Sequence, residues 1–332
     1  MKVLLTGVTG FLGQYVAKRL LSEGHKVIGV SRHRKEIDII NDIEFHNLDL
    51  IDIGQLIKCS KGVDCIIHTA ALSTVWGKEE DFILNNVIAT RNIIQVCKHN
   101  KIQRCIHISS PSVYTNSKNR FGIKEEDCPV ENDFTYYIKT KLLAEQEIIK
   151  STFSSDIKFI ILRPRGIFGI GDTSIIPRLI NVNKKIGIPY INKGKSIIDI
   201  THVTNVVEAV MLSLKYDLGD NKYEIFNITN DQSVNVDYLL NLLFGLIDEK
   251  PRYIHVNFKF MYTVAYILES VHKLLNIYKE PILTRYTVCT IGNSQTLDIT
   301  KAKNKLHYKP IITLEKGIEE YAKWYKQFNR NS

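Results

Sequence analysis

KVLLTGVTGFLG, residues 2–13, decides how this chain folds. An apolar run ends at Thr6, glycines follow at positions 7, 10 and 13, and a helical pattern then occupies residues 14–22. Glycines let the backbone turn sharply between strand and helix and come close to a ligand. A pyrophosphate in that turn would meet the N–H groups and the positive dipole end of the helix. Strand, loop and helix all lie within the first 25 residues, so Gly7, Gly10 and Gly13 are candidate phosphate-loop residues rather than an ordinary tight turn.

Further apolar runs rich in Val and Ile occur at residues 26–30, 65–68, 105–109 and 158–162, separated by helical or polar stretches. Strands that are apolar on both faces and alternate with helices belong to a buried parallel sheet. The expected fold class is therefore α/β, a doubly wound Rossmann-type parallel sheet with a smaller, mainly helical lobe. The expected division is a dinucleotide-binding domain over residues 1–165, completed by about 196–228, and a substrate lobe built from 166–195 and 229–332. The segment IIDITHVTNVVEAVMLSL reads as a strand entering a helix, and YEIFNIT as another strand. Beyond Asp231 the chain reads as mainly helical.

No apolar run reaches the roughly 20 residues of a membrane span, and the opening apolar stretch stops too early for a secretory leader. A cytoplasmic protein is expected. Six cysteines (Cys59, Cys65, Cys97, Cys105, Cys128, Cys289) show no metal-ligand spacing and read as reduced thiols, so no metal is expected. The net charge of +9 is spread along the chain, which argues for anionic small ligands and against nucleic acid.

The second strand runs into VIGVSRHRK. An NAD site would offer a carboxylate to the ribose there, but Ser31, Arg32 and Arg34 stand in its place. Arginine accommodates a 2′-phosphate, so NADP(H) is favoured over NAD(H), with Arg32 the candidate contact. Asp49, in NLDLID, suits the adenine amino group.

In FTYYIKTK, residues 134–141, Tyr137 and Lys141 are one helical turn apart on one face, whereas Tyr136 has Thr140 at that distance. A phenol titrates near 10, and proton exchange near neutrality asks for a shift of roughly 3 units, about 4 kcal/mol. A neighbouring ammonium, helped by a positive nicotinamide ring, is expected to supply that shift. Tyr137 then exchanges a proton with a carbonyl or hydroxyl oxygen. A serine delivered by IHISSPSVY, Ser109 or Ser110, would hold the same oxygen.

With DLID (49–52), HTAA (68–71), NNVIATRN (85–92), SSPSVY (109–114) and LRPRGIFGIGD (162–172), the chain resembles an extended short-chain dehydrogenase/reductase from residue 1 to about 324. The resemblance implies Ser110 as the catalytic serine beside Tyr137 and Lys141. It also implies that Ala70, Ala71, Pro164 and Ile167 line the cofactor, together with Phe11 and Leu12 of the glycine loop and Leu50 beside Asp49. STVWGKEEDF, GIKEED, IIPRLI and the late EPILTRYTV and LDITKAKNKLHYKP are most similar to the 3β-hydroxysteroid dehydrogenase branch, which includes sterol-4α-carboxylate 3-dehydrogenases and 2-alkyl-3-oxoalkanoate reductases. In LHY, His307 stands where that family usually has glycine, a departure expected to alter a helix end. The resemblance also implies a homodimer through the helices holding residues 86–98 and 137–150.

Residues 258–275 carry an apolar stripe (Met261, Val264, Ala265, Leu268, Val271, Leu275) that reads as core, with a substrate lid or contact with a membrane surface as sharper alternatives. Arg165 is a candidate either for a substrate carboxylate or for a structural ion pair. Trp76 stands where a substrate would approach, or simply packs. The expected activity is ketone–alcohol interconversion on a largely apolar small molecule, a 3-oxo acid or a 3-keto steroid-like compound. The competing readings are a nucleotide-sugar epimerase, dehydratase or 4-ketoreductase, and a non-catalytic NADP-sensing protein.

Overall fold

A computed structural model describes residues 1–34, 39–127, 129 and 134–330; the reading of Cys128 as a thiol lies outside them. Seven strands form the central sheet: β1 (Lys2–Thr6), β2 (Lys26–Ser31), β3 (Glu44–Asn47), β4 (Cys65–His68), β5 (Arg104–Ile108), β6 (Lys158–Pro164) and β7 (Tyr223–Ile228). Their order is β7-β6-β5-β4-β1-β2-β3, and every pairing is parallel. The chain lays down β1 to β3 toward one edge, then crosses back to place β4 on the other side of β1. That reversal leaves a crevice beyond the carboxyl ends of β1 and β4, where such sheets bind ligands.

The sheet is buried on both faces because successive side chains alternate. Val3 and Leu5 point into a core with helix α1 (Phe11–Ser22), while Leu4 points into the opposite core with helix α2 (Ala89–Asn100) and helix α3 (Tyr136–Thr152). On the first face, α1 supplies Val16 and Leu20 from one apolar stripe. Ile299, Ala302, Leu306 and Tyr308 also belong to this core, so the chain crosses the boundary expected at 229 and returns to the first lobe late.

The second lobe packs helix α4 (Ile176–Lys185), helix α6 (Val236–Leu246) and helix α9 (Leu314–Arg330) around Leu243, Phe244, Leu314 and Ile318. Helix α5 (Val203–Lys215) lies between, in the first core. Helix α7 (Phe258–Leu274) and helix α8 (Arg285–Gly292) form a third small core with Ile191. They are fastened by a buried ion pair in which Arg285 Nε donates to Glu269 at 2.6 Å. The stripe on α7 is core only in part: Met261, Val264, Ala265 and Leu268 pack inward, whereas Val271 and Leu275 are exposed. No helix among the described residues is long and apolar enough to cross a membrane.

His307 does not disturb the chain. It takes the left-handed conformation (φ 54°) that glycine favours after a helix, and Leu306 and Tyr308 both donate to the Ala302 carbonyl to close helix Thr300–Lys305.

Candidate active site

The glycine loop is built by contacts that exclude a side chain. Gly7 has φ +70° and lies so close to β4 that a Cβ would sit 2.9 Å from the Ala70 backbone. At Gly13 a Cβ would fall 2.1 Å from the Gly7 carbonyl oxygen. No side chain caps the first turn of α1, so its backbone donors face the crevice, an arrangement that fits a diphosphate. Phe11 and Tyr15 close one side, with the Tyr15 hydroxyl donating to Ile170 O at 2.8 Å and Phe11 packing beside Gly169 and Gly171.

Leu12 and Leu50 turn their side chains into the two cores, which leaves only their backbone for a ligand. Arg32 is exposed at the end of β2, and Asp49 is half-buried after β3 with one oxygen accepting from Ile51 N at 3.1 Å. Ala70 and Ala71 lie just beyond β4, Pro164 ends β6, and Ile167 follows it in a two-residue strand against Thr201.

Thr135 caps α3 by accepting from Ile138 N at 3.1 Å, so Tyr137 stands in the first turn at the carboxyl edge of the sheet. The Ser110 hydroxyl lies near enough to the Tyr137 phenol to favour its ionised form, and it caps a 3₁₀ turn, donating to Ser112 Oγ at 2.9 Å and accepting from Ser112 N at 3.2 Å. The structure thus brings Ser110 to Tyr137, and Ser109 elsewhere.

Lys141 shares the helix face of Tyr137, but its ammonium donates to the Ile108 carbonyl at 2.6 Å. Burial, partly offset by the Glu145 carboxylate, brings Lys141 down to about 8. Burial also pushes Tyr137 up to about 12, although the nearby Ser110 hydroxyl favours the phenolate. The lowering expected from Lys141 is absent, because desolvation of the phenolate outweighs what the protein's own groups offer. The phenol is held protonated, which is the form a proton donor needs.

Beneath the site lies a buried network that the motifs did not announce. Glu145, two turns after Tyr137, accepts from Arg163 Nε at 2.9 Å and again from Nη2, and also from the Ser109 hydroxyl. Arg163 Nη1 donates to the Tyr114 hydroxyl. Ser109 therefore anchors the strand end while Ser110 faces the phenol. Asn86 was also missed: its amide donates to Thr140 of α3 at 2.9 Å, and its oxygen accepts from Leu72 N at 2.8 Å, tying the loop after β4 to the helix that carries Tyr137. It lies in a π-turn over Ile83–Ile88, a distortion that often marks functional positions and that only the folded chain displays.

Trp76 joins the lobes. Its indole N–H donates to Ile277 O at 2.9 Å and its ring meets His272 edge-on. Phe134 and Ile138, on either side of Tyr137 in sequence, pack with Cys289 of the second lobe against Phe258, Tyr262 and Tyr286.

Comparison with known proteins agrees with this architecture. Residues 3–229 match the NAD dependent epimerase/dehydratase family. The chain is 28% identical to a 2-alkyl-3-oxoalkanoate reductase of Shewanella oneidensis, covering 95% of this chain and 84% of that one. It is also 28% identical to a decarboxylating sterol-4-alpha-carboxylate 3-dehydrogenase of Mus musculus, covering 99% and 92%. Its fold is that of a UDP-glucuronic acid 4-epimerase from Bacillus cereus solved with NAD, with a TM-score of 0.78 at 21% identity over 100% of this chain and 98% of that one. These likenesses make the protein an NAD(P)-dependent oxidoreductase acting on CH–OH groups, and the chain belongs to the NAD dependent epimerase/dehydratase family.

Proposed function

We propose that this enzyme uses NADPH to reduce the ketone of a largely apolar small molecule to a secondary alcohol. The observation that carries the reading is Tyr137: a phenol kept protonated by burial, with Ser110 beside it, in the first turn of α3 at the carboxyl edge of the sheet. When bound, the reduced nicotinamide supplies the hydride. Ser110 orients the ketone oxygen and Tyr137 gives it a proton as negative charge develops there. Lys141, fixed by Ile108, keeps a positive charge one helical turn below the phenol and assists its reprotonation. The apolar group around Phe134, Tyr262 and Tyr286 shields the reacting carbon from water. The names of both sequence relatives, one a reductase of a 3-oxo acid and the other a 3-dehydrogenase of a carboxylated sterol, favour a 3-oxo acid or steroid-like ketone.

The choice of NADPH rests on Arg32, exposed beside the loop and without a salt-bridge partner among the described residues, in the place where a 2′-phosphate would lie. Ser31, hydrogen-bonded to Thr9 at 2.6 Å, offers no carboxylate to repel it. Arg32→Ala is expected to weaken NADPH roughly 10-fold or more while changing NADH little, since one charge-assisted hydrogen bond contributes about 1.5–3 kcal/mol. A homodimer through α2 and α3 is part of the same reading.

The test is NADPH absorbance over time with a long-chain 2-alkyl-3-oxo substrate, comparing wild type with Tyr137→Phe. Loss of a proton donor is expected to lower kcat by roughly 10²–10⁴-fold, with NADPH binding by fluorescence unchanged. Equal turnover by the phenylalanine variant would refute the assignment.

A further inference from the structure

Three arginines are buried among the described residues: Arg163, Arg165 and Arg285. Arg163 is paired with Glu145, and Arg285 with Glu269. Arg165, only 6% exposed, is different: among the described residues its guanidinium makes no hydrogen bond and no salt bridge. The carboxylate that acts on it, Asp199, has its own oxygens engaged, Oδ1 by the Ser233 hydroxyl at 2.6 Å and Oδ2 by Leu297 N at 2.7 Å. Only the backbone of Arg165 is tied down, its N–H donating to Ile228 O at 3.0 Å and its carbonyl accepting from the Thr201 hydroxyl. A buried charge left unpaired is expensive and is seldom kept without a counter-charge.

Its position says which counter-charge is meant. Residues two apart on an extended strand share a face, so Arg165 follows Arg163 on the side of the sheet that carries α3. Arg163 reaches Glu145; Arg165 lies further toward the carboxyl edge, where the start of α3 places Tyr137, two turns before Glu145. Tyr286 lies near enough to act electrostatically on both Arg165 and Tyr137. Its hydroxyl likewise makes no hydrogen bond among the described residues, while its ring joins the apolar group of Phe134 and Ile138.

We propose that Arg165 and the Tyr286 hydroxyl form a carboxylate clamp, so that the ketone reduced at Tyr137 belongs to a 3-oxo acid whose chain lies along Phe134, Phe258 and Tyr262. This rests on the reductase reading above. The planar guanidinium takes both carboxylate oxygens, with Tyr286 donating a further hydrogen bond. With one carbon between carboxylate and ketone, the clamp sets which face of C3 meets the cofactor. Bound NADPH would supply the hydride to C3, and the ketone oxygen, taking the C=O electron pair, would accept the Tyr137 proton, which Lys141 helps to restore. The products are the 3-hydroxy acid, with its carboxylate unchanged, and NADP⁺.

The test separates the clamp from the chemistry. Binding of tetradecanoate and of its methyl ester, neither of which can react, is measured by calorimetry on the NADP⁺-loaded protein for wild type, Arg165→Gln and Tyr286→Phe. The acid is expected to bind wild type roughly 10–100-fold more tightly than the ester. Arg165→Gln abolishes that preference and Tyr286→Phe reduces it. Equal binding of acid and ester to wild type, or a preference that survives in Arg165→Gln, overturns the proposal. The unfolding temperature of Arg165→Gln without ligand is expected at or above that of wild type, since no partner is lost; a fall marks a structural arginine and also overturns it. NADPH oxidation with a neutral 3-oxo ester reports on the reductase reading alone. An acid preference that depends on Arg165, with no ketone turned over, upholds the clamp and removes the reductase.

Discussion

Replacing Glu145 by glutamine keeps the shape of the side chain and deletes its charge, leaving Arg163 buried with its main partner gone. Both side chains are almost wholly sequestered, 3% exposed for Arg163 and 2% for Glu145, so water cannot substitute. Breaking one partner of such a pair costs about 3–5 kcal/mol. With an unfolding entropy of ~2.1 cal/mol/K per residue over 332 residues, the melting temperature should fall by about 4–7 °C. Thermal and urea unfolding followed by circular dichroism measure this directly. The double variant Glu145→Leu/Arg163→Met, apolar at both positions, should recover most of the loss, because it removes both charges together. The substitution also removes the carboxylate that supports the Lys141 ammonium, so the Lys141 limb of the kcat pH profile should move below about 8. A loss under about 1 kcal/mol, or a double variant as unstable as the sum of the singles, would refute the view that this pair is a coupled buried unit.

Four further outcomes follow from particular residues. Gly13→Ala must push a methyl group against Gly7 O, 2.1 Å away, and should abolish NADPH fluorescence enhancement. Gly24→Ala, at φ +77° with open space around it, should cost only the left-handed strain of about 1–2 kcal/mol and leave binding intact. His307→Gly should raise stability by roughly 0.5–1 kcal/mol in urea unfolding, the relief at φ 54° being partly offset by the freer unfolded chain. Lys141 titrates near 8 in the fold against 10.5 ordinarily, so between those values the unfolded chain binds more protons and stability rises with pH. Relative to Lys141→Met, wild type should gain on the order of 3 kcal/mol from pH 8 to 10.5, and a flat difference would argue against a desolvated ammonium.

Much of this protein was legible in its residues. The run KVLLT, the glycine spacing and the doubly buried strands carry local information, because turn geometry and strand burial depend on nearby residues and on composition. They determined the parallel sheet, the tight glycine turn at Gly7 and Gly13, and a helix presenting Tyr137. Spacing along that helix likewise placed Lys141 on the phenol's face. The proton affinities were another matter. Burial is a property of the assembled lobes, so only the tertiary structure decided that Tyr137 is held protonated and that Lys141 spends its hydrogen bond on Ile108. Pairing between distant segments was equally invisible. Nothing in LRPRG distinguishes Arg163 from Arg165, yet the fold gives one of them Glu145 and buries the other with no carboxylate paired to it among the described residues. That difference arises because residues 18 positions apart in sequence, Glu145 and Arg163, meet only when the helix and the strand pack across the sheet.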